Sequence, residues 1–407
     1  MHTPQFLLSL LLSMGTLGSW TPSAALQLSA PTALGTRTAT QPKRLWTVSP
    51  AAGEADFTSI QEAVDVAGSG DAILLLDDGA DSYDGFTIAG KGLAIFAEAI
   101  STTVSGPVVV RDVPASEDVV LRGFDVFLQL SAGAAASGPM LDVRDCAGPV
   151  WIEDVAVNYD TDGVPIVIAD CASVALLRSQ ATSAAGDPNP GTKLRIERSS
   201  VAAFEATFQG ENALATNGSG APGAEIVDAF LYASQCNFFG GNLFGQATMG
   251  TGAPGTGLVA SASSEVLAVA SFFVAGGGGV NPVEGFVGPV QELSDDARTL
   301  VADAVSPAAG TTAITGRLVF FDRPTILATN TPALGTYVPL HLGVQLVAPP
   351  FAFFPQGFRG PSFYNVTVPA PSLRPQDPFQ VTFYQGLFLD TDGEAFLSSA
   401  SAVLTVP

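Results

Sequence analysis

The chain has 407 residues, enough for two or three domains, and a formal net charge of −22 with only three lysines, Lys43, Lys91 and Lys193. That charge repels DNA, RNA and anionic membrane surfaces, so nucleic acid is excluded as a partner, and a polyanionic substrate would need a bridging divalent cation. Charged residues make up 13% while Gly and Pro number 43 and 29, the balance of a turn-rich β protein and not of a disordered acidic one.

Residues 6–17, "FLLSLLLSMGTL", are apolar but too short to span a bilayer, and small Ser23 and Ala25 follow at signal-peptidase spacing. Residues 1–25 therefore read as a secretory signal peptide, and 26–44 as a flexible segment. An uncleaved anchor is the alternative, because the leader lacks Lys and Arg before its apolar stretch. The expectation is a secreted or cell-surface protein with no membrane span after cleavage. Three cysteines, Cys146, Cys171 and Cys236, leave at least one thiol free, which excludes a disulfide scaffold. With no C-x-x-C and one histidine, His341, beyond the leader, a Cys/His metal site is excluded as well.

In "DFTSIQEAVDVAGSGDAILLL" (56–76), Ser59 and Glu62 have capping-box spacing, and Ile60, Ala63, Val64 and Ala67 form one apolar helix face. Gly68 can end the helix in the left-handed conformation. A buried-strand pattern follows directly. So short a helix must lie on something apolar.

That something is a repeat. The pattern Φ-x-Φ-x-x-Φ-x-Φ, with Φ small or apolar, occurs at Val119/Leu121/Phe124/Val126 and Val150/Ile152/Val155/Val157. It recurs at Val174/Leu176/Ser179/Ala181 and Leu194/Ile196/Ser199/Val201, with looser copies starting at Leu231 and Val266. Alternation within each copy indicates strands, and the x-x step a corner between them. Some copies carry a preceding strand that places Cys146 and Cys171 at equivalent positions. Variable repeats of this length mark a β-solenoid, whose coils bury too little apolar surface to stand alone and must stack. Its first coil leaves an open sheet edge, which the helix is expected to cover.

"FTSIQEAVDVAGSGDAILL", "GFTIAGKGLAIFAE" and "VVLRGFDV" resemble the start of secreted right-handed parallel β-helix proteins of the pectin-lyase-like superfamily. This opening stretch is also similar to that of pectin methylesterases. The resemblance covers roughly 45–275 and implies an all-β fold, a right-handed parallel β-helix with an N-terminal capping helix. Residues 276–314 read as a linker or irregular last coil. Residues 315–407 hold strand-like runs between Pro, Gly and Asn turns, the spacing of a small antiparallel β-sandwich. "YQGLFLDTDGEAFLSSASAVLTV" is similar to the terminal module of large exported planctomycete β-helix proteins, which implies a bacterial source. Asp390–Gly393 reads as a hairpin turn.

The motifs that would carry pectin methylesterase or polygalacturonase chemistry are missing. Lyases of this superfamily typically use an Arg or Lys base with Ca²⁺, and the corners offer Arg122/Gly123, Glu153/Asp154, Leu177/Arg178, Glu197/Arg198 and Ser234/Gln235. Stacking would bring Glu153, Asp154, Arg178, Glu197 and Arg198 into one outward strip, suited to acid/base work, to gripping a sugar chain, or simply to exposed ion pairs. Trp151 and Tyr232 occupy outward positions and Tyr159 a nearby loop, where aromatic rings stack on sugars or are plain surface. Asn158, Asp160 and Asp162 form the first half of an EF-hand-like loop whose twelfth position is Ala169, so Ca²⁺ is a candidate ligand while no cofactor is required. Asp77, Asp78, Asp81 and Asp84 form a second oxygen-rich turn.

Cys146 and Cys171 are either an inter-coil disulfide or a ladder of reduced thiols. The expectation is a monomeric exported protein with a binding or structural role, with a polysaccharide or cell-surface component as partner. The alternatives are a polysaccharide lyase or glycoside hydrolase with a non-standard site, and a purely architectural fragment.

Overall fold

A computed structural model describes residues 43–407 except 52, 54, 78–81, 100–101, 128–137, 159–163, 183–185, 188–190, 214–218, 244–252, 278–284, 295–297, 308–309, 319–321, 339–342, 357–361, 374–375, 391 and 393. The described residues are all-β with one short helix, α1 (Ile60–Val66). Parallel pairing dominates their first two thirds. A first ladder of ten strands runs from Leu45–Val48 through Asp71–Leu75, Leu93–Ala97, Val119–Arg122, Val150–Glu153, Val174–Leu177, Ser200–Phe204, Phe230–Ser234 and Glu265–Val269 to Val290–Ser294.

Two further ladders meet along one long strand, Thr102–Arg111. Its beginning pairs with Phe124–Phe127, the first strand of the second ladder, and its end with Leu141–Arg144, the first strand of the third. The second ladder continues with Ala156–Asn158, Gln180–Thr182, Thr207–Gln209, Asn237–Phe239 and Phe272–Val274. The third continues with Ile166–Ala169, Leu194–Glu197, Ala224–Val227, Leu258–Ala260 and Phe286–Val287. From Val119 to Ser294 the chain visits first, second and third ladder in turn, again and again. This order fits a β-solenoid.

Most turns from the first ladder to the second and from the third to the first use one device, a single left-handed residue. Between the first and second ladders it is Gly123, Asp154, Arg178, Glu205, Gln235 and Ala270; between the third and first it is Asp112, Asp145, Asp170, Arg198 and Asp228. Asp tolerates this conformation well, and Arg, Glu and Ala less so. Ladder hydrogen bonds pass through the corners, as from Asp154 N to Leu177 O and from Arg178 N to Phe204 O. At several corners the next residue is a small inward serine or cysteine that donates to the carbonyl two positions back. Ser179 donates to Leu177 O, Ser199 to Glu197 O, and the thiols of Cys146 and Cys171 to Arg144 O and Ala169 O. The cysteines are therefore soft stand-ins for serine, and all three are buried and free: Cys146 and Cys171 follow adjacent rungs of the third ladder as reduced thiols, and Cys236 lies at the other corner. Connections from the second to the third ladder carry most of the variation in circuit length.

Inward side chains of all three ladders merge into one core that includes Ile95, Leu121, Ile152, Leu176, Ile196 and Phe238. The first ladder is buried on its outer face too, where Leu74, Phe96, Val120, Trp151, Phe204 and Tyr232 form a second cluster with Phe383, Ala402 and Leu404 from the end of the chain. Its strands accordingly read as continuous apolar runs, unlike the alternating strands of the third ladder.

Parallel pairing continues past residue 275 to Ser294, and antiparallel pairing begins at Val301, before 315. A three-stranded sheet (Val301–Ala302, Thr311–Leu318, Ser362–Pro369) faces a five-stranded one (Val305–Pro307, Ala395–Val406, Gln380–Leu389, Arg323–Thr329, Ala352–Pro355). Ile314, Tyr364, Val366, Phe388 and Val403 fill the space between them. The other face of the five-stranded sheet lies against the first ladder, giving three layers. Asp390 turns the last hairpin by accepting from the amides of Asp392 and Glu394 at 2.9 and 2.8 Å.

α1 buries Ile60, Ala63 and Val64, but the expected caps differ. The Ser59 side chain makes no capping bond, and the helix stops at Ala67 with φ −64°, so Gly68 is not its left-handed terminator. Lys91 instead donates to the end carbonyls of Val64 and Ala67.

Candidate functional site

The first corner column gathers the charges. Glu153 and Asp154 sit where the fifth strand of the first ladder ends, Arg122 one rung before and Arg178 one rung after, because Arg122, Glu153 and Leu177 are in register. Arg178 Nε donates to Asp154 Oδ1 at 2.8 Å, and its Nη2 meets Glu153 Oε1. Arg122 lies 3.2 Å from Glu153 and 3.3 Å from Asp154. Glu205, the next corner residue, completes the group.

This cluster is covered. The final strand, Ala395–Val406, and the segment around Leu300–Asp303 cross it. Ser401 Oγ donates to Glu153 Oε1, the Ala402 amide to Glu153 Oε2 at 2.8 Å, and Ser399 Oγ to Glu205 at 3.1 Å. Arg122 donates to the carbonyls of Ala302 and Ala402, and Arg178 to that of Leu300 at 3.4 Å. Side-chain exposure falls to 2% for Arg122 and 0% for Glu153. Burial pulls down on both guanidiniums. At Arg122 it prevails; at Arg178 the carboxylates of Glu153 and Asp154 outweigh it and raise the group. Burial also raises the Glu205 carboxyl, against the opposing pull of Arg178 and the Ser399 hydrogen bond. The arrangement is a polar joint within an apolar seam. It is neither an open strip nor a set of solvated ion pairs.

Trp151 and Tyr232 point outward from the first ladder, yet they are 2% and 1% exposed. Trp151 packs edge-on against Phe383 with centroids 5.0 Å apart and donates its Nε1 to Glu153 at 2.7 Å. Tyr232 lies between Phe204 and Tyr337. Neither ring is free to stack on a sugar. Tyr159, Asp160 and Asp162 lie outside the described residues; Asn158 accepts from Thr182 Oγ1 at 3.3 Å. Asp78, Asp81 and His341 also lie outside them.

Glu197 and Arg198 do not join the strip. Their strand, Leu194–Glu197, belongs to the third ladder, in register with Ile166–Ala169, so they occupy the other corner column. The residues equivalent to Glu153/Asp154 are Phe204/Glu205. Arg198 makes two bonds to Asp170, at 2.7 and 2.6 Å, and lies 3.5 Å from Glu197.

The outer face of the third ladder carries a concavity of about 420 Å³ lined by Gly138, Pro139, Arg144, Val164, Val167, Arg195 and Glu197. Three rungs make its floor. Asp142, Val167 and Arg195 stand in one column, and Arg144, Ala169 and Glu197 in the next. Arg144 Nε bonds Asp142 at 2.6 Å, and Arg195 pairs with Glu197. Arg144 and Arg195, which motif reading missed, announce themselves only once "LDVR", "IVIA" and "LRIE" are aligned as rungs. Among the described residues no group of three or more His, Cys, Asp or Glu could hold a metal ion, and no helix is long and apolar enough to cross a membrane. The sequence matches no protein-family model and no curated protein.

Proposed function

We propose that the chain is an exported right-handed parallel β-helix protein of the pectin-lyase-like superfamily with a docked β-sandwich, acting in a binding or structural role at the cell surface toward polysaccharide. The cyclic visiting of three parallel ladders supports the β-helix. α1 serves as its lid: Gln61 accepts from the Thr87 amide at 2.7 Å and donates to the Thr87 carbonyl at 3.3 Å, occupying backbone groups on the outermost strand, Tyr83–Ala89. The observation that carries binding over catalysis is the joint. Arg122, Glu153, Arg178 and Glu205 are engaged in fastening the two modules, which removes the strip a lyase or hydrolase would use and leaves the enzyme reading only Glu197 and Arg198.

The test exposes the purified protein to immobilised plant, algal and bacterial polysaccharides and assays retention and released ends together. Retention without product is expected. Product formation that survives purification and is abolished by Glu197→Gln or Arg198→Ala would establish the enzyme reading, and no retention on any polymer would remove polysaccharide as the partner.

A further inference from the structure

We infer that the concavity on the third ladder is a subsite for a neutral sugar ring, held through vicinal hydroxyls. The inference rests on the polysaccharide reading above and adds the place and the chemical class.

The geometry begins with a missing rung. Adjacent strands stand about 4.8 Å apart, so the side chains of Asp142/Arg144 and Arg195/Glu197 are separated by roughly 10 Å, with a strand between them that offers only Val167 and Ala169. Long side chains thus rise on both sides of an apolar floor, and Pro139 and Val164 add to the lining. The cavity falls within the roughly 300–1,000 Å³ of ordinary ligand pockets.

The charge pattern decides what fits. The two acid–base pairs run in opposite order along their strands, so each flank of the slot presents one guanidinium and one carboxylate, placed diagonally. Arg198 and Asp170 just outside balance each other as well. The slot has no excess positive charge to hold a carboxylate or sulfate, in a chain whose net charge of −22 repels polyanions. A guanidinium beside a carboxylate instead gives fixed donors next to fixed acceptors, which matches adjacent hydroxyls that each donate and accept. An apolar ring face can lie on Val167 and Pro139. Arg144 and Arg195 are a little under half exposed, so they can reach a ligand without leaving their partners.

The experiment is calorimetric titration of the full chain with neutral tetrasaccharides (β-1,4-gluco, β-1,4-manno, β-1,4-xylo and α-1,4-gluco) and with a galacturonate tetrasaccharide. Arg144→Ala and Arg195→Ala test the slot, and Arg111→Ala is the control on the same face. Melting curves confirm that the variants fold, and hydrogen exchange maps the contact. The expected result is saturable binding of at least one neutral probe, weakened about tenfold or more by each slot variant and unchanged in the control. Protection should centre on residues 139–144 and 164–167. Binding that is indifferent to both slot variants would overturn the subsite while leaving the polysaccharide reading intact. Stronger binding of the galacturonate probe would overturn the neutral assignment, and no binding of any probe would remove both.

Discussion

Glu153→Gln changes the side chain's volume little and should nevertheless loosen the two modules from each other. Glu153 Oε2 accepts from Trp151 Nε1 at 2.7 Å and from the Ala402 amide at 2.8 Å, while Oε1 receives Ser401 and both guanidiniums. A carboxamide has one oxygen. Turned either way, its NH₂ faces donors, and only the Ser401 hydroxyl can rotate to accept. Each donor stranded in a buried site costs about 1–3 kcal/mol, and removing one partner of a buried ion pair about 3–5 kcal/mol. We expect a loss of roughly 3–5 kcal/mol, seen as a fall of the order of 10 °C in the transition that undocks the sandwich. Scanning calorimetry reads the shift, and limited proteolysis between 295 and 310 reads the undocking. A Glu153→Gln shift below about 1 kcal/mol, the scale of solvated surface pairs, would refute the buried-joint account.

Glu205→Gln should stabilise the protein at neutral pH. The buried carboxyl sits above its ordinary value, so the folded state holds the proton more tightly than the unfolded one. Wild-type stability from this group therefore rises as pH falls through its raised folded value and levels off below the unfolded value near about 4.3. The variant's advantage in melting temperature should shrink over that window, and an advantage that grows on acidification would contradict the assignment. Burial pushes the Cys236 thiol up to about 12, and Cys146 and Cys171 are buried in the other corner column. Iodoacetamide should then label no thiol in the native protein and three in denaturant, as read by mass spectrometry. Ala270→Gly should stabilise by about 1 kcal/mol in denaturant melts, because Ala270 holds φ +46° at a corner where the other residues are longer or glycine. A loss of stability there would show that the corner is not strained.

The parallel ladders could be read in the sequence because each strand pair leaves a local signature: inward alternation, then a step of two, then alternation. The same signature misplaced one copy. Both tight corners use a single left-handed residue followed by a small inward one, so Leu194/Ile196/Ser199/Val201 looks like Val174/Leu176/Ser179/Ala181 while belonging to the other corner. Only pairing partners separate them, and pairing is not local. That slip hid Glu205 and put Glu197 and Arg198 beside Arg178. The covering of the strip was written in plainer form. "VALL" and "AILL" are apolar on both faces, whereas a strand facing water alternates, so the outer face of the first ladder required a cover. Trp151 and Tyr232 looked like ligand platforms for the same reason. They are large, outward and unexplained until Phe383 and Tyr337 arrive from more than a hundred residues away.

The turn from the first ladder to the second hardly changes length from circuit to circuit, and the turn from the third to the first changes less than the connection from the second to the third, so most growth falls on one flank. Stretches joining Phe127 to Leu141, Asn158 to Ile166, Gln209 to Ala224 and Phe239 to Leu258 differ in length, yet the strands they join stay in register. Gly138, Pro139 and Val164, which wall the slot, come from this tolerant flank. Lengthening or trimming that fringe can thus reshape the concavity while the apolar spine behind it stays as it is.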